Sequence, residues 1–295
     1  MRSHNEVISE QFGTTAASYL TSAVHAQGAD LQDLAAYAAA YPHARVLDLG
    51  CGGGHASFAT APFAAQVVAY DLSAQMLEVV RAAAVERKLS NIEVQQGSAD
   101  RLPFADASFD VVCTRFSAHH WRNLPQALHE AARVLKQGGC FVMIDTAAPA
   151  DVLADTYVQG IELLRDTSHV RNVSLSSWKK LIAQTGLQVE FSKSWKLTLE
   201  FASWVARMRT SPEHIAAIVK WNNLHRPRER NSRFQIQHRK RIAAHRHSKR
   251  IQKHDVLFTI SKSTLWNYDL TWSSLFKTKS TQCRRTAGEE TLADR

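Results

Sequence analysis

The stretch Arg45-Val46-Leu47-Asp48-Leu49-Gly50-Cys51-Gly52-Gly53-Gly54 constrains the fold of this chain more than any other. A short apolar run reaches a turn made almost wholly of glycine. The next apolar run closes on an acid, Asp71. Glycine tolerates positive φ and lets a ligand come against bare backbone. The helix expected after such a turn offers unpaired N–H groups and a positive dipole end. A second strand ending in a carboxylate suits the two hydroxyls of a ribose. Together these features describe a nucleoside-type cofactor site on a parallel α/β sheet.

The glycine loop alone leaves a dinucleotide enzyme open, although His55 stands where a G-x-G-x-x-G reading needs its last glycine. Asp48 argues against that reading. A carboxylate just before the first glycine repels a pyrophosphate and suits a ligand with a positive end. S-adenosylmethionine has two such groups, an ammonium and a sulfonium.

Five segments then resemble, in order, the motifs of the class I S-adenosylmethionine-dependent methyltransferases. They are Asp48–Gly54, Tyr70–Leu77, Gly97–Phe104, Ser108–Val112 and Leu135–Gly139. The type 11 group, which includes the ubiquinone and menaquinone C-methyltransferases, is the nearest in pattern. The stretches 165–172 and 201–210 resemble the bacterial YafE-like members. The resemblance runs from the N-terminus to Trp221. It implies that Asp48 faces the methionyl ammonium, that Gly50, Cys51 and Gly52 bring backbone to the ligand, and that Asp71 accepts from the ribose. Leu72 and Met76 would then flank the adenine, with Ser98 and Ala99 at its edge. Many relatives have Asp directly after the glycine of the third motif, where this chain has Ser98. After the fourth strand, Arg115 is expected at the cofactor carboxylate or at an acidic acceptor. His120 is the expected base or acceptor contact, with Asp145 as the other candidate base. Tyr19, with Phe12, matches a lid pattern. The implied activity is methyl transfer to a small-molecule acceptor, aromatic or quinone-like, with no metal.

Alternation of strands and helices supports the same architecture, a doubly wound, mostly parallel Rossmann-like sheet. Strands are expected at 45–50, 66–71, 92–96, 109–114 and 140–145, and helices at 55–63, 74–88, 123–136 and 151–165. A short helix at 178–185 and a strand at 187–199 follow. Residues 1–40 read as an N-terminal helical cap and 41–221 as the cofactor-binding domain. Cys51, Cys113 and Cys140 read as small buried residues. Neither they nor Cys283 has metal-ligand spacing.

The formal charge of +9 is unevenly spread. Residues 222–255 hold eleven Lys and Arg against two acids, and residues 1–221 are close to neutral. The segment 222–295 is therefore read as an atypical basic tail. One reading makes it a nucleic-acid arm of an RNA methyltransferase, with Trp266, Tyr268 and Trp272 for stacking. The other makes it a disordered or frame-shifted end on a truncated, non-functional methyltransferase. Val256–Ile260 is expected to stand alone as a strand, and no seventh strand of the sheet is evident. No run reaches membrane-span length, and a cytoplasmic location is expected.

Overall fold

The computed structural model describes residues 3–13, 16, 20, 26, 28–224 and 250–261. In chain order the elements are α1 (His4–Gly13), α2 (Ala29–Ala39), β1 (Ala44–Leu49), α3 (His55–Thr60), β2 (Ala64–Asp71), α4 (Ala74–Glu86), β3 (Ile92–Gln96) and β4 (Phe109–Arg115). There follow α5 (Leu124–Val134), β5 (Leu135–Ala148), α6 (Val152–Arg165), β6 (Val173–Ser174), α7 (Leu175–Gln184), β7 (Gln188–Glu200), α8 (Phe201–Arg207), α9 (Pro212–Leu224) and β8 (Arg250–Ser261).

The strand order is β3-β2-β1-β4-β5-β8-β7, and β6 pairs with β5 off this path. Strands β1 to β5 pair in parallel, and β8 runs antiparallel to both β5 and β7. β1 lies between β2 and β4, in register with Leu47 opposite Val68 and Val112. The chain leaves β1 in one direction and returns to its other side with β4. Ligands bind at the carboxyl ends of strands at such a switch point.

Central strands buried on both faces read as nearly continuous apolar runs, and period 2 sorts their side chains. Leu47, Leu49, Val68, Val112, Phe141 and Met143 pack on one face with Leu128 and Ala131 of α5 and Trp178 and Ile182 of α7. Val46, Val67, Val111, Val142 and Ile144 pack on the other with Leu34 of α2 and Ala56 of α3. Local chemistry sets the helix starts. Ser73, Asn123, Asp151 and Ser174 each cap a helix by accepting from the N–H three residues on.

Three expectations change. The helix expected at 123–136 ends at Val134, because Leu135 already pairs with Phe109. The boundary at Trp221 falls inside α9. Val256–Ile260 does not stand alone: it belongs to β8, whose partners run from Cys140 to Thr146 on β5 and from Gln188 to Glu200 on β7. Hydrophobic alternation could not reveal β8 because its first half, Arg250-Ile251-Gln252-Lys253-His254, is mostly polar. The compact unit that contains the sheet runs from Met1 to Lys262. Tyr19, residues 225–249 and residues 262–295, with Trp266, Tyr268, Trp272 and Cys283, lie outside the described residues.

Candidate functional site

At the carboxyl edge of β1, β2 and β4 a cleft of about 1090 Å³ opens, its mouth included. The structure brings Asp48, Gly50, Cys51, Gly52, Asp71, Leu72, Met76, Ser98, Ala99, Arg115 and His120 to its walls.

The glycine loop is fixed from below. The Tyr70 carbonyl accepts from the N–H groups of Gly50 and Cys51 at 2.8 and 3.1 Å. The Cys51 N–H is therefore spent on β2, contrary to its expected part as a donor to the ligand. The Cys51 thiol is buried, and burial holds its proton on at values well above the ordinary thiol range. Gly50 and Gly52 both have positive φ, 72° and 50°, but for different reasons. A Cβ at Gly50 would sit 1.9 Å from Ser117 Oγ, so its glycine serves packing against the protein rather than the ligand. A Cβ at Gly52 would meet no atom within 4 Å; it would project into open space.

The two acids frame this loop. Asp48 is 1% exposed, and its Oδ2 accepts from the Ser57 N–H at 2.9 Å and the Ser57 hydroxyl at 2.6 Å. Its Oδ1 is buried with no hydrogen-bond partner. Burial dominates and pushes the carboxyl up to about 6, against the opposing bonds from Ser57. Asp71 accepts from Gly52 N–H at 2.8 Å through Oδ2 and from Ser73 N–H at 2.9 Å through Oδ1. A carboxylate has acceptor capacity beyond these bonds. Burial raises its pKa as well. A buried carboxylate without a bond to one oxygen and an unobstructed glycine, both lining the cleft, fit a cationic ligand such as S-adenosylmethionine, and the Asp71 oxygens fit its ribose.

Met76 is 1% exposed and Leu72 is half-buried, so Met76 is both core and cleft wall. Opposite them lie Ser98, Ala99 and Asp100.

Arg115 ends β4 as expected, but its guanidinium donates to Asp30 of α2. The two side chains are 6% and 7% exposed. This pair fixes the direction of the cation at the cleft wall, and it was not legible across the 84 intervening residues. The next turn separates the two histidines. His119 binds Asp145 through Nδ1 at 2.5 Å and through its backbone N–H at 3.0 Å. Asp145 also accepts from Thr146 N–H, so it braces this turn, and it is not among the residues that line the cleft. His120 lines the cleft beside Phe12, whose ring meets it edge-on at 4.9 Å. Its Nδ1 lies 3.0 Å from the Ser168 carbonyl, which requires the proton at that nitrogen, and its Nε2 lies 4.0 Å from Asp166 Oδ2. Burial, reinforced by His119, holds its pKa well below the ordinary imidazole value. Both ring nitrogens are turned to residues 166–168. Trp121 donates through Nε1 to Ser117 Oγ at 3.1 Å, which locks this wall to the glycine loop through Ser117. The described residues of the expected lid place Asn5, Ile8 and Phe12 of α1 at the cleft.

A doubly wound α/β sheet with an acid before the glycine loop and an acid at the end of the second strand is the arrangement of the class I methyltransferases. Residues 47–143 match the family described as a methyltransferase domain. The chain is 48% identical over 169 residues to the YafE protein of Escherichia coli K12, covering 57% of this chain and 82% of that one. It is 36% identical over 208 residues to the methyltransferase YcgJ of Bacillus subtilis 168, covering 70% and 82%. The crystal structure of YcgJ superimposes with a TM-score of 0.74 at 32% identity, covering 80% of this chain and 99% of that chain. A shorter match, 41% over 107 residues, covers 36% of this chain and 42% of a demethylmenaquinone methyltransferase of Chlorobaculum parvum. The chain belongs to the methyltransferase family that includes YafE and YcgJ.

Proposed function

We propose that this methyltransferase uses S-adenosylmethionine and methylates a small, flat, apolar acceptor of quinone or aromatic type. The observation that carries the cofactor reading is the buried, unpartnered Oδ1 of Asp48 at the cleft, with Asp71 bound to the Gly52 N–H one strand away. When bound, the cofactor supplies an electrophilic methyl group on sulfonium. Asp48 binds the ammonium and Asp71 the ribose hydroxyls. Leu72 and Met76 flank the base, and Arg115, steadied by Asp30, presents its cation to the carboxylate end.

At the other end of the cleft Ile8, Phe12, Phe116 and Trp121 form apolar walls. They suit a flat ring and exclude water from the reacting atoms. The similarity to a demethylmenaquinone methyltransferase points to the same acceptor class. His120 lines the cleft beside Phe12 and stays the candidate contact to the acceptor.

Calorimetric titration of the full chain with S-adenosylmethionine tests the reading, alongside Asp71→Ala. Saturable binding that falls at least about tenfold in the variant supports it. No binding by folded wild type sinks it. Methyl incorporation into quinols and phenolic rings then tests the acceptor class.

A further inference from the structure

Asp48 is held by a residue that does not itself line the cleft. Its Oδ2 accepts from the Ser57 N–H at 2.9 Å and from the Ser57 hydroxyl at 2.6 Å, while its Oδ1 has no hydrogen-bond partner. Ser57 is the third residue of α3 and is wholly buried. Its neighbours His55 and Ala56 reach the cleft walls, and Ser57 does not. A hydroxyl has one proton to donate, and that of Ser57 goes to Asp48. Both bonds fall on the same oxygen. The carboxylate is therefore fixed by one end, and the other end is left at the cleft.

The charges that face Asp48 do little to keep it ionised. Asp71, at the end of β2, opposes a second negative charge. Arg115, at the end of β4, favours one, but its guanidinium is paired to Asp30 of α2. Cys113, opposite Asp48 on β4, and Cys51 in the loop bring thiols that burial keeps protonated. Burial pushes the Asp48 carboxyl up to about 6, and the largest influence against it is the Ser57 hydroxyl, followed by the Ser57 N–H. Of these two bonds only the first depends on the side chain at position 57. A hydrogen bond donated to a carboxylate favours its charged form.

We propose that Ser57 is a positioning residue for the cofactor: by binding Asp48 Oδ2 it leaves Oδ1 to the ligand's ammonium and sets the pH below which that ammonium is released. The proposal rests on the cofactor reading above. It is tested by calorimetry on the full chain with S-adenosylhomocysteine, from about pH 5 to about pH 8.5, using wild type, Ser57→Ala and Ser57→Cys. In wild type the affinity should fall as pH drops through about 6. Ser57→Ala loses the hydroxyl bond and keeps the N–H bond, so it should move that midpoint up by about one pH unit. Ser57→Cys keeps a weak donor and should move it less. At about pH 8.5 both variants should come within about threefold of wild type, because the carboxyl is ionised there in all three. Each variant is compared with wild type at the same pH, which cancels titration of the ligand's own amine. A loss of affinity by the same factor at every pH is general damage to the site and overturns the proposal, as does an unmoved midpoint in Ser57→Ala. If Ser57→Ala does not fold, Ser57→Cys decides by the same criterion. Wild type that binds equally well at every pH overturns the proposal and leaves the cofactor reading intact. Wild type that folds and does not bind removes both.

Discussion

At the residue scale, the two glycines of the loop are separable by experiment. Gly50→Ala forces a Cβ into Ser117 Oγ and keeps a strained positive φ, so it should lower the melting temperature markedly. Gly52→Ala meets no protein atom, so its cost in stability should be only the backbone strain, roughly 1 kcal/mol. Its main effect should be loss of cofactor affinity. Thermal melts and titrations on both variants separate the two roles; equal loss of affinity at equal melting temperature would contradict them. Asp48 gives a pH prediction. Its carboxyl, raised to about 6 in the folded state, gains a proton as pH falls through that value and loses its attraction for an ammonium. Affinity for S-adenosylhomocysteine should therefore weaken from pH 7.5 to pH 5. Linkage has the opposite sign for the ligand-free fold: the folded form of this group binds protons more tightly than the unfolded one. Its contribution to stability falls as pH rises from about 4 to 6. The acids and glycines of this loop were legible because their chemistry is local. The uses of Cys51 N–H and of Gly50 were not, since they depend on Tyr70 and Ser117, which meet the loop only in three dimensions.

At the element scale, α2 and β4 are joined by the Arg115–Asp30 pair. Breaking a buried ion pair by removing one partner costs about 3–5 kcal/mol. Asp30→Asn should lower stability by an amount of that order, measured by urea unfolding, and should also misplace Arg115 in the cleft. Arg115→Met, which removes the charge with a similar stem, should reproduce the loss by orphaning Asp30. If both variants unfold like wild type, the pair is not the joint described. Most strands and helices from β1 to α7 were readable from apolar runs closed by glycine or capped by Ser, Asn and Asp. Ends failed where pairing won over propensity: α5 stops at Val134 because Leu135 is already claimed by Phe109.

At the scale of the whole molecule, the sheet sets where the chain can be shortened. Ending it after Lys262 leaves every described strand in place, so melting temperature and cofactor affinity should stay close to those of the full chain. Ending it before Arg250 removes the strand between β5 and β7 and leaves two unpaired edges, which promote association. That shorter chain should aggregate in light scattering, and its remaining soluble in native form would refute the placement of β8. The first of these truncations also tests the nucleic-acid reading of the basic segment: RNA affinity lost with 263–295 places it there, and RNA affinity that stays unchanged assigns it to the residues kept.

The insertion of β8 between β5 and β7 also bears on biosynthesis. A nascent chain emerges from the ribosome with β5 and β7 already made, yet neither has its neighbour until residue 261 has cleared the exit tunnel. Strands β1 to β5 can pair as they are made, but the β5 edge cannot be covered before β8 exists, and such long-range pairing is slow. Pulse-labelled folding intermediates with an open β5 edge should accordingly persist until β8 has been made.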